Sequence, residues 1–223
     1  MSTLQTTNIT HGSNTGTENL VLASSGAVTT ADDLTVGDNL VATKQNGCQR
    51  IVLEQFWSPV DGSTIALSAG NLTLTNVTAA QDLTSTFADI TGSSISYTPP
   101  TGTTQVIYEY QFYQAGGDTA NIGHYLFNVD GTDVANSKFT QITDNSGFTD
   151  NTLTQFKWGV NIGGTAATAT TGRLASWSGA KILKMRAREY GSSYDARLNE
   201  VHHWDGASGD HFTQPCIGIT AIG

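Results

Sequence analysis

The amino-acid sequence predicts an all-β protein, on three observations. The 223 residues are rich in Thr, Ser and Asn and include 24 Gly; Thr suits a pleated surface, and Gly and Asn supply turns. Several segments alternate apolar with polar side chains, and clusters of Gly, Asp, Asn and Pro separate them. Short strands at regular spacing, with no helical pattern between them, predict a sandwich or barrel, and we favour a jelly roll.

The first 46 residues differ from the rest and predict a short β-rich N-terminal arm or stem. Residues 19–22 and 39–42 carry similar Asn-Leu-Val segments between Ser, Thr, Gly and Asp turns. Such segments contain too few apolar residues to form a hydrophobic core of their own, so we expect them to pack on copies of themselves or on a partner surface. A flexible linker with coincidental repeats is the alternative. Residues 47–223 then form the main β domain.

Seven segments of the main domain carry the strand signal. The clearest is 106–113, where Val106, Tyr108, Tyr110 and Phe112 share one face. The segment 125–129 ends at Asp130-Gly131, a strong hairpin signal. The others are 50–57, 154–162, 181–190, 197–204 and 215–222. The last is apolar on nearly both faces, which predicts a place in a sheet centre or at a subunit axis.

Charge excludes some function classes and suggests a contact surface. The net charge of −9 argues against a general nucleic-acid binder, whose affinity would come from neutralised phosphates. No stretch approaches the roughly 20 apolar residues of a membrane span, so we expect no membrane insertion. Six of the ten basic residues lie within 173–197. The outward residues of the strand 181–190, Lys184, Arg186 and Arg188, are therefore predicted to form a basic interface for an acidic neighbour, such as another subunit.

A series of segments resembles a known type of viral protein. The run 50–63 is similar to the opening of a virion-associated protein type of marine phages and large algal viruses. Further similar pieces follow in order at 88–92, 95–100, 106–110, 156–158, 187–190 and 217–222. The resemblance spans about residues 47–223 and rests on strands and corners rather than on active-site motifs. It implies a fibre-knob or capsid-decoration protein on the virion surface, often trimeric, with a jelly roll like that of complement C1q and tumour necrosis factor.

One segment has side chains suited to a metal ion. His202 is followed by Asp205 and His211, and these could hold a divalent ion if they converged across a hairpin. Adjacent residues of a strand point to opposite faces, so at most one of His202 and His203 could join a single site. We expect a plain polar hairpin with no metal, and no cofactor anywhere in the chain. The two cysteines, Cys48 and Cys216, are expected to be buried thiols rather than a disulfide framework.

Aromatic residues near loops are the other candidate contacts. Four side chains could stack on sugars of a host-surface glycan or line a subunit contact, namely Trp177, Tyr190, Tyr194 and Trp204; for each of them burial in the core is the more common alternative. Trp177, between two serines, is the preferred surface candidate. No motif singles out a pair of carboxylates for glycan cleavage, and no nucleophile elbow or phosphate loop is present.

The sequence as a whole therefore predicts a non-enzymatic, homo-oligomeric virion protein, with a trimer as the expected form. The arm would dock to other virion proteins, and the main domain would be displayed for host attachment and contact. A capsid cement protein without receptor binding is the first alternative. A glycan-binding or glycan-degrading fibre is the second.

Overall fold

The computed structural model describes residues 34–36, 39–41, 50–116, 121–143, 151–206 and 209–223, and within them the secondary structure is almost entirely β. The strands are β1 (Leu34–Val36), β2 (Asn39–Val41), β3 (Val52–Pro59), β4 (Thr64–Leu67), β5 (Gly70–Thr73), β6 (Gln81–Asp82), β7 (Ala88–Asp89), β8 (Ile95–Tyr97), β9 (Gln105–Gly116), β10 (Asn121–Val129), β11 (Thr132–Asp133), β12 (Phe139–Thr143), β13 (Thr152–Asn161), β14 (Lys181–Glu189), β15 (Ala196–Leu198), β16 (Glu200–His202), β17 (Asp210–Phe212) and β18 (Cys216–Ile222). The helical elements are short: α1 (Thr168–Thr171) and two 3₁₀ turns, Ala135–Ser137 and Trp204–Gly206.

The main unit, Arg50–Gly223, is built on two antiparallel sheets. In sheet 1 the order is β3-β18-β9-β13, and β15 and β6 continue along the far end of β9. In sheet 2, β14 and β10 form the centre; β12 and β11 pair with β10, and β8 and β7 pair with β14. Each sheet thus joins strands that lie far apart in the sequence.

The chain changes sheets between its long strands, which is the jelly-roll arrangement. From β8 in sheet 2 it passes to β9 in sheet 1, to β10 and β12 in sheet 2, to β13 in sheet 1, to β14 in sheet 2 and finally to β18 in sheet 1. The predicted fold class is therefore confirmed. β18 lies between β3 and β9, in the interior of sheet 1, as its apolar sequence predicts.

An aromatic layer fills the space between the sheets. Tyr108 of sheet 1 lies 4.9 Å, between ring centroids, from Phe127 of sheet 2, and Phe127 lies 5.7 Å from Phe156 of sheet 1. Farther along, Phe112 meets Tyr125 at 5.4 Å. Side chains of a strand point alternately to its two faces, and these rings occupy the inward positions of β9, β10 and β13. Tyr108 and Phe127 are fully buried. Their burial is the main source of stability, since large aromatic side chains remove the most apolar area from water.

The buried tyrosines need hydrogen-bond partners, and the loop before β8 supplies two of them. The hydroxyl of Tyr108 donates to the carbonyl of Ser93 at 2.6 Å, and that of Tyr110 donates to the carbonyl of Thr91 at 3.1 Å. Burial raises the pKa of both phenols well above the usual range, so they remain neutral donors at any ordinary pH. The core therefore also holds this loop in place.

One predicted strand is interrupted. The segment 197–204 forms two strands, β15 and β16, because Asn199 adopts a left-handed conformation with φ of 62°. Asn tolerates this conformation better than most residues. Two main-chain hydrogen bonds hold it: the Asn199 N–H donates to the carbonyl of Tyr113 at 2.8 Å, and the Thr213 N–H donates to the carbonyl of Asn199 at 2.9 Å. Alternation alone does not reveal such a kink.

The predicted arm, residues 1–46, lies mostly outside the described residues. The exceptions are β1 and β2, which form an antiparallel pair with Thr35 opposite Leu40. The role of the arm and the boundary at 46/47 stay predictions. Among the described residues, none of the helices has the length and apolar character needed to cross a bilayer.

The aromatic layer generates a stability prediction. Phe127→Ala should lower the free energy of unfolding by about 3–5 kcal/mol, because it removes a buried ring from the contacts between the sheets. Trp204→Ala should change it by less than about 0.5 kcal/mol, because Trp204 is 66% exposed. Urea titrations followed by circular dichroism measure both, and equal losses in the two variants would contradict the proposed core.

Candidate functional site

The outer face of sheet 1 presents a groove whose lining side chains come from separate strands. Strand register places Trp57, Gly218, Glu109 and Lys157 in one row across β3, β18, β9 and β13. The Lys157 Nζ and the Glu109 Oε1 are 2.9 Å apart. In the next row Gln155 donates to Gln111 at 2.8 Å. The groove has a volume of about 520 Å³. We call these outward residues the contact face: Gln55, Trp57, Glu109, Gln111, Gln155 and Lys157.

A glycine shapes this face. A Cβ atom at Gly218 would lie 2.6 Å from the indole ring of Trp57 and 2.8 Å from the carbonyl oxygen of Phe56. The indole therefore lies over the backbone of β18, a close approach that only glycine allows. This arrangement lays an aromatic surface beside the Glu109–Lys157 ion pair.

The edge of sheet 1 is unusually apolar. β3 is the end strand of its sheet in the described part of the chain, so one side of its backbone faces away from β18. Four of the exposed large apolar side chains belong to the short segment that forms this edge: Ile51 (46% exposed), Val52 (53%), Leu53 (39%) and Trp57 (50%). Natural proteins usually protect such edges with charges, bulges or a covering element. The β3 edge and the contact face are continuous through Trp57.

The hairpin of β16 and β17 contains the charged cluster nearest to the predicted metal candidates. Pairing of His202 with Asp210 puts both on the same face as Glu200. The His202 Nε2 is 3.0 Å from the Glu200 Oε1 and 3.2 Å from the Asp210 Oδ1. Arg197 bridges the same carboxylates, with its Nη1 3.1 Å from an oxygen of each, and its Nε is 2.6 Å from Asp82. Glu200 is almost fully buried, so this cation balances its charge.

The other two metal candidates do not belong to this cluster. The partner of His211 across the hairpin is Val201, which places His211 on the opposite face from His202. Asp205 is exposed in the 3₁₀ turn Trp204–Gly206. The ligand atoms of Glu200, His202 and Asp210 lie within 4.8 Å of one another. Since Arg197 already bonds both carboxylates, ion pairs account for the cluster, and the absence of a metal stays a prediction.

The basic residues of β14 differ from one another in their partners. Lys184 forms an ion pair with Asp89 at 2.7 Å, and Arg186 forms one with Asp133 at 2.8 Å. Arg188 has no carboxylate partner among the residues that the structure describes; its Nη1 donates to the main-chain carbonyls of Glu189 and Tyr190, each at 3.2 Å. The predicted basic interface therefore consists of two neutralised residues and one uncompensated cation.

The four aromatic candidates lie in different surroundings. Trp204 (66% exposed) and Tyr190 (56%) are on the surface, and Tyr194 packs edge-on against Tyr190 with ring centroids 5.0 Å apart. Trp177 is half-buried, because its ring packs edge-on against Tyr97 at 6.2 Å and joins the margin of the core. The flanking serines favoured a surface position for Trp177. The local sequence does not indicate the contact with Tyr97, because the two residues are far apart in the chain.

Only one of the two cysteines lies among the described residues. Cys48 lies outside the described residues, and Cys216, at the start of β18, is half-buried with a free thiol. Burial, followed by the negative charge of Asp61, raises the pKa of this thiol. Cys216 is therefore a weak nucleophile.

The charged cluster at the β16–β17 hairpin generates the second prediction. Arg197→Met should destabilise the protein by about 2 kcal/mol or more, because it leaves the buried carboxylate of Glu200 without its guanidinium. The matched control is Lys157→Met, which breaks an exposed pair and should cost less than about 1 kcal/mol. Adding Glu200→Gln to Arg197→Met should recover part of the loss. Urea midpoints measure all three, and equal costs for the two single variants would contradict the account of the buried charge.

Comparisons with known proteins leave the family open. No family model and no curated protein matches the chain. Among solved structures, a chain in the structure of infectious bursal disease virus, Gt strain, is 12% identical to this chain, with a TM-score of 0.23. The match covers 82% of this chain and 50% of the viral chain, so this chain spans about half the length of that protein. A similarity at this level assigns neither fold nor function.

Proposed function

We propose that this chain is a structural subunit of a virus particle, a fibre-like or decorating protein displayed on the virion surface, which works by contact as a homo-oligomer. The observation that carries the proposal is the apolar edge of sheet 1, continuous with the contact face. The sequence resemblance to virion-associated proteins supplies the viral context, and the jelly-roll fold is compatible with it. A trimer is the form expected from that resemblance.

The β3 edge supports association between copies. An edge strand offers unpaired N–H and C=O groups, and apolar side chains beside them make it a template for another chain. Exposed apolar patches of this kind mark protein–protein contacts more often than isolated surface residues do. In an assembly, Leu53 and Trp57 would be removed from water while the polar groups of the edge found partners.

The contact face supports the same assignment. Interfaces between subunits commonly combine aromatic anchors with a polar margin. Trp57 provides such an anchor, and the Glu109–Lys157 pair and the three glutamines provide the margin. A symmetric assembly then multiplies weak contacts with a host or a particle into avidity.

Light scattering on the full-length chain tests the oligomer. We expect a mass of three chains for the wild type, and a shift toward the monomer for Trp57→Asp, because the variant would bury an unpaired charge in the interface. The control is Ile182→Asp, since Ile182 is 44% exposed on the other sheet and should leave the mass unchanged. A compact wild-type monomer at particle-like concentration would refute this assembly.

A comparison of virus particles with and without this chain distinguishes a role in host attachment from a role in cementing the capsid. For an attachment protein we expect normal capsid stability with reduced adsorption to host cells. The reverse result, fragile particles that adsorb normally, would contradict attachment and favour a cement protein. Electron microscopy with an antibody against the main domain would locate the chain, and its absence from the particle surface would overturn the proposal.

A further inference from the structure

A small pocket on the outer side of sheet 2 gathers three basic side chains. Pairing of β10 with β14 and β12 puts His124 opposite Arg188 on one side and opposite Thr140 on the other. Lys138 lies just before β12 and lines the same pocket. The volume is about 350 Å³, and the remaining lining residues are Phe87, Tyr125 and Phe139. Among the residues that the structure describes, none that lines this pocket is acidic.

The cations of this pocket are uncompensated, unlike their neighbours. In the part of the chain that the structure describes, neither Arg188 nor Lys138 has an ion-pair partner, whereas Lys184 and Arg186 on the same strand are paired with aspartates. The pocket is thus a local positive region on a protein of net charge −9. Such a region attracts an anion and orients it.

Two of the three basic groups, those of Arg188 and His124, are also held in position. Arg188 donates to two main-chain carbonyls, and its guanidinium carbon lies 5.5 Å from the ring centroid of Phe87. The Nδ1 of His124 is 2.9 Å from the hydroxyl of Thr140, so its Nε2 is available to a ligand. Burial, and then the positive charge of Arg188, lower the pKa of His124, and the ring is therefore a neutral hydrogen-bonding group at pH 7. Groups fixed in advance lose less entropy when they bind.

A pair of tyrosine rings lies next to His124, one of the residues that line the pocket. The ring of Tyr190 lies 5.7 Å from that of His124 and packs edge-on against Tyr194. Tyr190 is 56% exposed, so a flat surface is open to solvent beside the cations. A simple inorganic anion would bind through the basic side chains alone. A sugar that carries an acidic group could use the tyrosine as well, because its acidic group would bind the basic side chains while the apolar face of its ring stacked on Tyr190.

We infer that the pocket formed by His124, Lys138 and Arg188, with Tyr190 at its margin, binds the acidic group of an anionic saccharide. Arg188 provides the charged hydrogen bonds, Lys138 adds a mobile charge, and His124 and Thr140 bond to neighbouring hydroxyls. The pocket is on the opposite sheet from the contact face, so this inference does not depend on the proposed assembly.

Binding of defined polymers to the full-length protein tests the inference. The probes are dextran sulfate and uncharged dextran, which share a backbone, and polygalacturonate, which carries carboxylates. Calorimetry should give saturable binding to one or both acidic polymers and none to dextran. Comparison of the two acidic polymers distinguishes sulfate from carboxylate as the preferred group.

Matched variants locate the site. Arg188→Gln should weaken binding by about tenfold or more, as expected for the loss of a charged hydrogen bond. Lys181→Gln removes the same charge from the other end of β14, outside the pocket and the contact face, and should change affinity by less than about twofold. Tyr190→Ala should weaken binding, while Tyr190→Phe, which keeps the ring, should not. Arg188→Lys is the second variant if Arg188→Gln is unstable; it retains the charge without the planar fork and should give an intermediate affinity.

Three outcomes would overturn the inference. The first is no saturable binding of either acidic polymer at millimolar sugar concentration. The second is an equal loss of affinity in Arg188→Gln and Lys181→Gln, which would indicate non-specific attraction to a polyanion. The third is equal or tighter binding of polyglutamate or of a short oligothymidylate with the same dependence on Arg188, which would indicate an acidic peptide or a single-stranded nucleic acid. Light scattering on the same samples keeps failure of this site distinct from failure of the assembly.

Discussion

The contact between the two sheets is the constraint on which the rest of the molecule depends. Tyr108, Phe127 and Phe156 meet there, and an aromatic layer of this kind requires that the inward positions of β9, β10 and β13 be used for packing alone. The buried hydroxyls of Tyr108 and Tyr110 then require acceptors, which the main chain at Ser93 and Thr91 supplies. The core thereby fixes both the sheets and the loop that enters β8. Only outward positions are left for contact with other molecules.

The two outward surfaces have different chemistry. Sheet 1 presents an apolar edge and a face in which Trp57 lies beside the Glu109–Lys157 pair, a combination suited to another protein surface. Sheet 2 presents the charged strand β14, where aspartates neutralise Lys184 and Arg186, while Arg188 has no carboxylate partner among the described residues. A subunit of this design could join copies through one sheet and present a pocket for an anion on the other. Several copies of a weak site would then act together.

A buried charged group needs an oppositely charged partner, and this requirement explains how the charges described above are arranged. Glu200 is almost fully buried, and Arg197 and His202 both contact its carboxylate. The cost of an unpaired buried charge explains why several ion pairs surround Glu200 at the β16–β17 hairpin, the segment for which the sequence predicts a polar hairpin. The same rule makes Arg188 noteworthy, since its cation lies near the surface and its hydrogen-bond partners are neutral. Uncompensated charge at the surface is available to a ligand.

Sequence alone determined the fold class, because side-chain alternation and turn residues define strands and their faces locally. The apolar sequence of β18 also predicted a place in a sheet centre or at a subunit axis, since a strand that is apolar on both faces needs cover on both, and the structure places it between β3 and β9. The tertiary structure decided which outward residues meet. Trp57 and Lys157 are 100 positions apart and share a row only because β3, β18, β9 and β13 adopt one order and register. Alternation sets the face of a residue but neither the neighbouring strand nor the register. For that reason only the folded chain reveals the half-buried position of Trp177, the kink at Asn199 and the lack of a carboxylate partner for Arg188 within the described residues.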